Sequence, residues 1–277
     1  MATGRAFLTT IATALLALSP AVRRCLALPM LVFATILFAG PPVQAAGDDA
    51  DQILKAMSDY LASQTSISAV FDTDIEVITP ELQKVQFASS GSMQLSRPDK
   101  LHARRTGGYS DVELFFDGKA LSVYGRNINS FVQMDAPGSI DKLIDMLRAK
   151  GVAIPGADLL VSNVYETLMA DVIDAKHIGR GVIGGIECEH LAFRNQDTDW
   201  QLWVEVGANP IPRKLVITSK AVAAAPQYTL IIKEWKTDVQ ADPAVFVFKP
   251  PEGVTKVGLD ALESLDEIPP GTPAKGQ

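Results

Sequence analysis

The stretch AVFDTDIEV at residues 69–77 sets the pattern on which the fold prediction depends. Its odd-numbered positions are mostly apolar and its even-numbered positions are mostly polar. The stretch VQFASSGSMQL at residues 85–95 repeats this alternation. Side chains of a β-strand point to opposite faces in turn, so a period of two over such lengths predicts two strands with one face in water.

A helical pattern interrupts the alternating stretches in the middle of the chain. Ile140, Leu143, Ile144 and Leu147 recur at the spacing of one helix face, and Gly151 suits the end of that helix. This apolar stripe could be a fixed cover over a sheet or a lid that moves to admit a chain-like ligand. Both interpretations use the same residues.

The remaining patterns complete an α+β fold that is mainly antiparallel β. An amphipathic helix is expected over residues 49–63, and the last strand over residues 245–248. In total, the chain is expected to form about eleven strands and two or three helical segments. A long antiparallel sheet curls as its strands twist. The predicted architecture is a single strongly curved sheet, or half-open β-barrel, with helices covering its concave face.

The first 45 residues have the composition of a signal peptide. A pair of arginines precedes an apolar run of 14 residues at 26–39. That run is shorter than the roughly 20 residues that a membrane-spanning helix needs. Helix breakers and small residues follow, which predicts cleavage between Ala45 and Ala46. An uncleaved membrane anchor is the alternative.

These features divide the chain into three predicted parts. They are a signal peptide at 1–45, a β domain at 46–257, and a short helix with a disordered tail at 258–277. Cleavage would remove Cys25 and leave Cys188 as the only cysteine, so the exported protein would have no internal disulfide. The predicted location is the periplasm.

The charge balance argues against a nucleic-acid partner. The chain has a formal net charge of −7, and residues 1–45 contain three arginines and no acid, which leaves −10 on the remainder. A body this acidic is a poor electrostatic match for nucleic acid or for an anionic lipid surface. Contact with a membrane is therefore expected only transiently or through an uncleaved leader.

Four stretches of the C-terminal half carry a resemblance to a known family. They are CEHLAF at 188–193, DWQLWVE at 199–205, GANPIPRKLVIT at 207–218 and FVFKPPEG at 246–253. Over about residues 50–257, the chain resembles a bacterial predicted periplasmic family, domain of unknown function 2092. The closing Phe-x-Phe-x-Pro-Pro-x-Gly also looks like the end of the Lol-type outer-membrane lipoprotein carriers.

This resemblance implies a half-open β-barrel closed by helices, with an apolar cavity for acyl chains. Carriers of this type escort lipid-modified cargo across an aqueous compartment. Their functional residues do not align one by one with this chain. The resemblance therefore implies the fold and the class of ligand, and it assigns no residue a role.

Polar residues that could support catalysis are few. Cys188 and His190 lie two apart, so on one strand they would share a face. They could be a nucleophile and its base, but a small buried thiol beside a hydrogen-bonded histidine is the simpler interpretation. Asp197 and Asp199 could act as a general acid and base, but aspartates are also common in turns for conformational reasons. No catalytic or phosphate-binding motif occurs, and we expect no catalytic residue, metal or cofactor.

The sequence therefore favours a non-enzymatic exported protein that binds an acyl chain, a lipid or a lipidated partner. A periplasmic sensor or scaffold that binds a protein partner without lipid is the alternative, and a hydrolase built on Cys188 or His190 is a third. The candidate cavity or lid residues are Phe71, Ile75, Phe87, Met93, Ile140, Leu143, Ile144, Leu147 and Trp203.

Overall fold

The computed structural model describes residues 46–152 and 154–258. The predicted signal peptide at 1–45 and residues 259–277 of the predicted helix and tail at 258–277 lie outside these residues. Within them, twelve strands form one sheet, at Ser66–Ile78 (β1), Lys84–Ser96 (β2), Lys100–Gly107 (β3), Asp111–Phe116 (β4), Ala120–Gly125 (β5), Ser130–Asp135 (β6), Asp174–Ile183 (β7), Ile186–Arg194 (β8), Thr198–Glu205 (β9), Pro212–Ser219 (β10), Gln227–Thr237 (β11) and Thr255–Lys256 (β12).

The order across the sheet is β12-β6-β5-β4-β3-β2-β1-β11-β10-β9-β8-β7. Neighbouring strands are antiparallel, except for β12, which pairs with β6 in parallel. Pairing of β1 with β11 joins the two halves of the chain into one layer. The sheet is not closed, because β12 and β7 are its two edges. The predicted single, mainly antiparallel sheet is confirmed, with twelve strands in place of about eleven.

Three α-helices lie in the described part of the chain: Ala46–Ser63 (α1), Ile140–Ala149 (α2) and Val164–Met169 (α3). The backbone N–H of Lys142 donates to the Ser139 hydroxyl, 3.4 Å away, at the start of α2. Gly151 follows the end of α2 with a φ of +75°, a conformation that glycine adopts readily. None of the described helices is both long and apolar enough to cross a membrane.

The helices pack against one face of the sheet, which we call the inner face. A single apolar core joins Phe116 of β4 and Leu202 of β9 with the buried stripes of α1 and α2. Phe116 and Leu202 belong to this one core although six strand spacings separate β4 from β9. The predicted open sheet with a helical cover on one face is therefore confirmed.

The prediction of a last strand at 245–248 is wrong. Residues Pro243–Phe246 form a 3₁₀ turn, and the Asp242 carboxylate accepts a hydrogen bond of 2.9 Å from the N–H of Ala244. The segment then lays Phe248 on the outer face of the sheet, with its ring centroid 5.0 Å from that of Phe131. Residues 245–248 therefore pack against the outer face through the aromatic ring of Phe248 and do not form the predicted strand.

Candidate ligand cavity

The inner face carries a row of side chains that crosses five strands. The register pairs Ala69 with Trp235 on one side and with Met93 on the other. Met93 in turn pairs with Ala103, and Ala103 with Leu114. Two alanines in one row leave space above the sheet that larger side chains would fill. We call this row the floor.

Two elements cover the floor, and together we call them the roof. Helix α2 contributes Leu143, Ile144 and Leu147, which are all buried. The segment from Ile154 to Leu160 covers the part of the sheet near β11. A Cβ atom at Gly156 would lie only 3.2 Å from Cδ2 of Leu230, so glycine lets this segment approach the strand closely.

A partly enclosed cavity of about 160 Å³ lies between floor and roof. A cavity of this size lined by apolar side chains can hold a benzene-sized group. No charged side chain lines it among the described residues. The lining consists of Ala69, Phe71, Met93, Leu101, Ala103, Leu114, Leu143, Ile144, Leu147, Ile154, Pro155, Gly156, Ala157, Leu159, Leu160, Tyr228, Leu230, Ile232 and Trp235.

Hydrogen bonds from Arg97 hold the C-terminal end of the roof segment in place. Arg97, after β2, donates to the carbonyl oxygens of Leu160 at 2.8 Å and Val161 at 3.4 Å. It also donates to the carbonyl of Gln64, just after α1, at 3.1 Å. Burial lowers the pKa of the Arg97 guanidinium. These bonds join the roof segment to the sheet and to α1.

Helix α2 and the roof segment are also connected directly. The Asp141 carboxylate accepts from the Ser162 backbone N–H at 2.9 Å and from the Ser162 hydroxyl at 2.6 Å. Arg148 near the end of α2 forms an ion pair with Asp158. Both parts of the roof are therefore coupled to each other.

A second apolar row crosses the inner face next to the cavity and shares Tyr228 with the cavity lining. Ile75 of β1 pairs with Phe87 of β2 and with Tyr228 of β11, which pairs with Ile217. The ring of Tyr109 meets the Phe87 ring edge-on, with centroids 5.6 Å apart. We call these residues the outer row. They are partly exposed, with Tyr109 the most exposed at 58%.

The structure places five of the nine candidate cavity residues in the lining: Phe71, Met93, Leu143, Ile144 and Leu147. Ile140 does not line the cavity. It is only 1% exposed and belongs to the core at the start of α2.

The other three candidates lie elsewhere. Ile75 and Phe87 are on the inner face but in the outer row, because β1 and β2 extend past the roof. Trp203 is on the opposite, outer face of the sheet, so the prediction that it lines the cavity is wrong. It stacks on His190 with ring centroids 4.1 Å apart, and Lys214 Nζ lies 5.0 Å from its ring centroid.

Sequence reasoning missed Trp235, Tyr228, Leu230 and the two floor alanines. Alternation in β11 could have indicated the face of Tyr228 and Leu230. It could not have done so for Trp235, because the β1–β11 register shifts beside Val70 and changes the parity. The sequence does not mark the two alanines as cavity residues, because they leave a cavity only where the roof lies above them.

Cys188 and His190 share the outer face, away from the cavity. Cys188 is fully buried, and burial raises the pKa of its thiol, with the nearby Glu205 carboxylate adding to the rise. The His190 Nε2 atom lies 2.9 Å from Gln201 Oε1. Nowhere in residues 46–152 and 154–258 do three His, Cys, Asp or Glu side chains meet in a group that could hold a metal ion.

The family of this chain follows from a sequence comparison. The model of the family described as "Predicted periplasmic protein (DUF2092)" matches residues 50–260, which is more than half of the 277 residues. The chain belongs to the DUF2092 family. This confirms the membership that the C-terminal motifs predicted. A search of curated proteins found no matching relative.

Three solved structures illustrate what this DUF2092 protein is similar to. An uncharacterised conserved protein from Thermus thermophilus has 13% identity and a TM-score of 0.44, with 76% of this chain and 99% of that chain covered. The lipoprotein LppX from Mycobacterium tuberculosis has 12% identity and a TM-score of 0.37, with 70% and 99% covered. A domain from Vibrio parahaemolyticus, described as outer-membrane lipoprotein-sorting, has 9% identity and a TM-score of 0.33, with 72% and 97% covered.

Proposed function

We propose that this protein is exported and binds the acyl chain of a lipid or of a lipidated partner between the roof and the sheet. The observation that carries the proposal is the cavity, which has an apolar lining and lies over the small residues Ala69 and Ala103. Apolar contact alone suits such a ligand, because hydrocarbon offers no polar group to recognise.

The free energy available from the cavity is adequate for an acyl chain. Each buried methylene contributes about 0.8 kcal/mol, so a chain of six carbons would supply on the order of 5 kcal/mol before the cost of ordering it. A longer chain would extend past Phe71 onto the outer row, where Ile75 and Phe87 offer further apolar contact. The enclosed cavity therefore sets the shortest acyl chain that binds, and contact with the outer row adds binding free energy for longer chains.

Export is the second part of the proposal. Membership of a family of predicted periplasmic proteins supports it, and so does the order of charged, apolar and small residues in the first 45. The exported protein would begin at Ala46. The mass of the intact protein from a periplasmic fraction tests this directly, because an uncleaved leader would add the mass of residues 1–45.

Binding of a protein partner without lipid is a second candidate function. In the described part of the chain, strand β7 pairs only with β8, and it exposes Ile178 at 55% and Val182 at 67%. A strand edge with exposed apolar side chains can accept an extended segment of another protein. A sensor or scaffold would use this edge and would not need the cavity.

Uptake of a fluorescent fatty-acyl probe separates the two functions. The wild-type protein should bind the probe, and Ala103→Leu should not, because the larger side chain fills the space above the floor. Ala88→Leu is the matched control, since Ala88 is exposed on the outer face of β2. Loss of uptake in both variants, or absence of uptake by the wild type, would contradict the acyl-binding proposal.

A further inference from the structure

One row of paired residues runs across the sheet from the end of the described chain to the cavity. In order from β12 to β1, its members are Thr255, Ser130, Gly125, Val112, Arg105, Gly91 and Phe71. Phe71 lines the cavity. We call these residues the connecting row. A chain that leaves β12 along this row therefore passes over β4 and β3 before it reaches the cavity.

The connecting row and the outer row form a groove on the inner face. Arg105 and Val112 each lie two positions from a residue of the same strand that lines the cavity, so they belong to the inner face. Both are partly exposed, and so are Ile75 and Phe87 of the outer row. We call these four residues the open groove. Among them, Arg105 is charged and the other three side chains are apolar.

The sequence after residue 258 has the pattern of an acidic amphipathic helix. Its apolar residues recur at every third position, which keeps them on one half of a helix surface, and they are Leu259, Leu262, Leu265 and Ile268. Its acidic residues are Asp260, Glu263, Asp266 and Glu267. No base occurs among these ten positions, and Pro269 and Pro270 end the helical pattern.

The length of this segment matches the distance to the groove. Four strand spacings separate β12 from β3, which is roughly 19 Å in a flat sheet. A helix of ten residues is about 15 Å long, and Gly258 before it adds about 3 Å of linker. The acidic residues can therefore reach Arg105 while the chain remains connected to β12.

Charge complementarity favours this segment as the occupant of the groove. The chain as a whole is acidic, with a net charge of −7, so its overall field repels an acidic segment. Arg105 offers a cation next to apolar side chains, which is the combination that the two faces of the segment require. An uncharged hydrocarbon would gain nothing from Arg105.

We propose that residues 259–268 form a helix that docks in the open groove of the same chain. Its apolar face packs on Ile75, Phe87 and Val112. Its carboxylates face Arg105. A ligand that extends from the cavity onto the outer row must displace this segment first. Docking itself requires no ligand, so this inference and the proposed function can fail independently of each other.

Paramagnetic broadening measures the docking in the full exported protein. A nitroxide is attached to Ser264→Cys, in a Cys188→Ala background that makes the labelling specific. Ser264 is on the polar side of the helical pattern, so the label leaves the apolar face intact. The methyl signals of Ile75 and Val112 should broaden relative to the reduced, diamagnetic label, because docking brings the radical close to them. A label on Gln277→Cys, at the end of the chain, should broaden them less.

Substitutions in the segment test the apolar contact. Leu262→Asp together with Leu265→Asp should lower the ratio of docked to undocked protein by about tenfold or more, because two buried leucine side chains are lost. The matched control is Thr272→Asp together with Ala274→Asp, which adds the same charge beyond the prolines. This control should leave the broadening unchanged.

The ionic contact is tested at Arg105. Arg105→Gln should reduce the broadening. Added salt should reduce it in the wild-type groove and have little effect in Arg105→Gln, because salt screens an exposed charge pair. The same salt dependence in both proteins would remove Arg105 from the docking site.

Three results would overturn the proposal. No broadening of Ile75 and Val112 with the Ser264→Cys label would show that the segment does not occupy the groove. Undiminished broadening in the double leucine variant would show that the apolar face does not dock. Broadening in a mixture where the nitroxide and the isotope label are on different molecules would assign the groove to a second copy of this chain.

Discussion

Ala69 and Ala103 lie on either side of Met93 in one cross-strand row, and the space above this row is the cavity. Neither alanine would attract notice in the sequence. Leu143 and Leu147 of α2 pass over the same row, so the two missing side chains leave a volume that no other residue occupies. The site is thus formed by small residues under a helix.

Filling this space should stabilise the unliganded protein. For Ala103→Leu we expect the free energy of unfolding to rise by about 1 kcal/mol, because added methyl groups would be buried without displacing neighbours. Denaturant titration of the wild type, Ala103→Leu and the exposed control Ala88→Leu measures the change. A loss of more than about 1 kcal/mol in Ala103→Leu alone would indicate that the space is already filled by protein.

Removing the Arg97 side chain should release the roof. Arg97→Ala leaves the carbonyls of Gln64, Leu160 and Val161 without their donor, and we expect a loss of about 3 kcal/mol. Hydrogen exchange should accelerate at the Leu160 amide, which bonds to the Ala157 carbonyl within the roof segment. Arg97→Lys, which restores one donor group, should recover part of the loss. Unchanged exchange in Arg97→Ala would show that the roof does not depend on this residue.

Cys188 should be unreactive in the folded protein. Burial raises the pKa of its thiol, so the neutral form predominates near neutral pH, and the sulfur is inaccessible. A thiol reagent should label the mature protein slowly and should react fully only after denaturation. The double variant Cys188→Ala/His190→Ala should keep acyl-probe binding if it folds. Rapid labelling of the native thiol would revive the hydrolase interpretation.

Asp111 should contribute stability that acid removes. Hydrogen bonds from Arg104, at 3.1 Å and 2.9 Å, hold the pKa of the Asp111 carboxyl below its ordinary value. A carboxyl whose pKa is depressed by folding stabilises the protein above its unfolded pKa, and this contribution is lost as the pH falls through about 4 and below.

The variant Asp111→Asn therefore should be less stable than the wild type at neutral pH, by about 1 kcal/mol or less for a pair this exposed. The difference should shrink on acidification. Asp171→Asn, which removes one carboxylate at an exposed loop position after α3, is the control for the change in net charge. A difference between wild type and Asp111→Asn that is constant from neutral to acid pH would contradict the assignment.

Much of the fold could be predicted because it depends on local patterns. The alternation at 69–77 and 85–95 matches β1 and β2, and the stripe from Ile140 to Leu147 matches α2. Phe246 and Phe248 also alternate, yet Asp242 and Pro243 begin a 3₁₀ turn before them. The Phe248 ring packs on the outer face of the sheet against Phe115, Tyr124 and Phe131. Alternation alone cannot distinguish that arrangement from a strand.

The site could be predicted only in part, because it depends on which row of the sheet lies under which helix. Period-two alternation assigns Phe71, Ile75 and Phe87 to one face but does not indicate where the roof ends. It also leaves open which of Trp200 and Trp203 faces inward. Register with neighbouring strands decides this, and it puts Trp200 inside beside Phe193 and Trp203 outside.

Native mass spectrometry of the protein, gently purified from the periplasm, tests the central claim most directly. The account predicts a population heavier than the polypeptide by the mass of an acyl lipid. That population should be absent from Ala103→Leu and retained in Ala88→Leu. Only the bare polypeptide mass in the wild type, together with no uptake of an added acyl probe, would contradict the account.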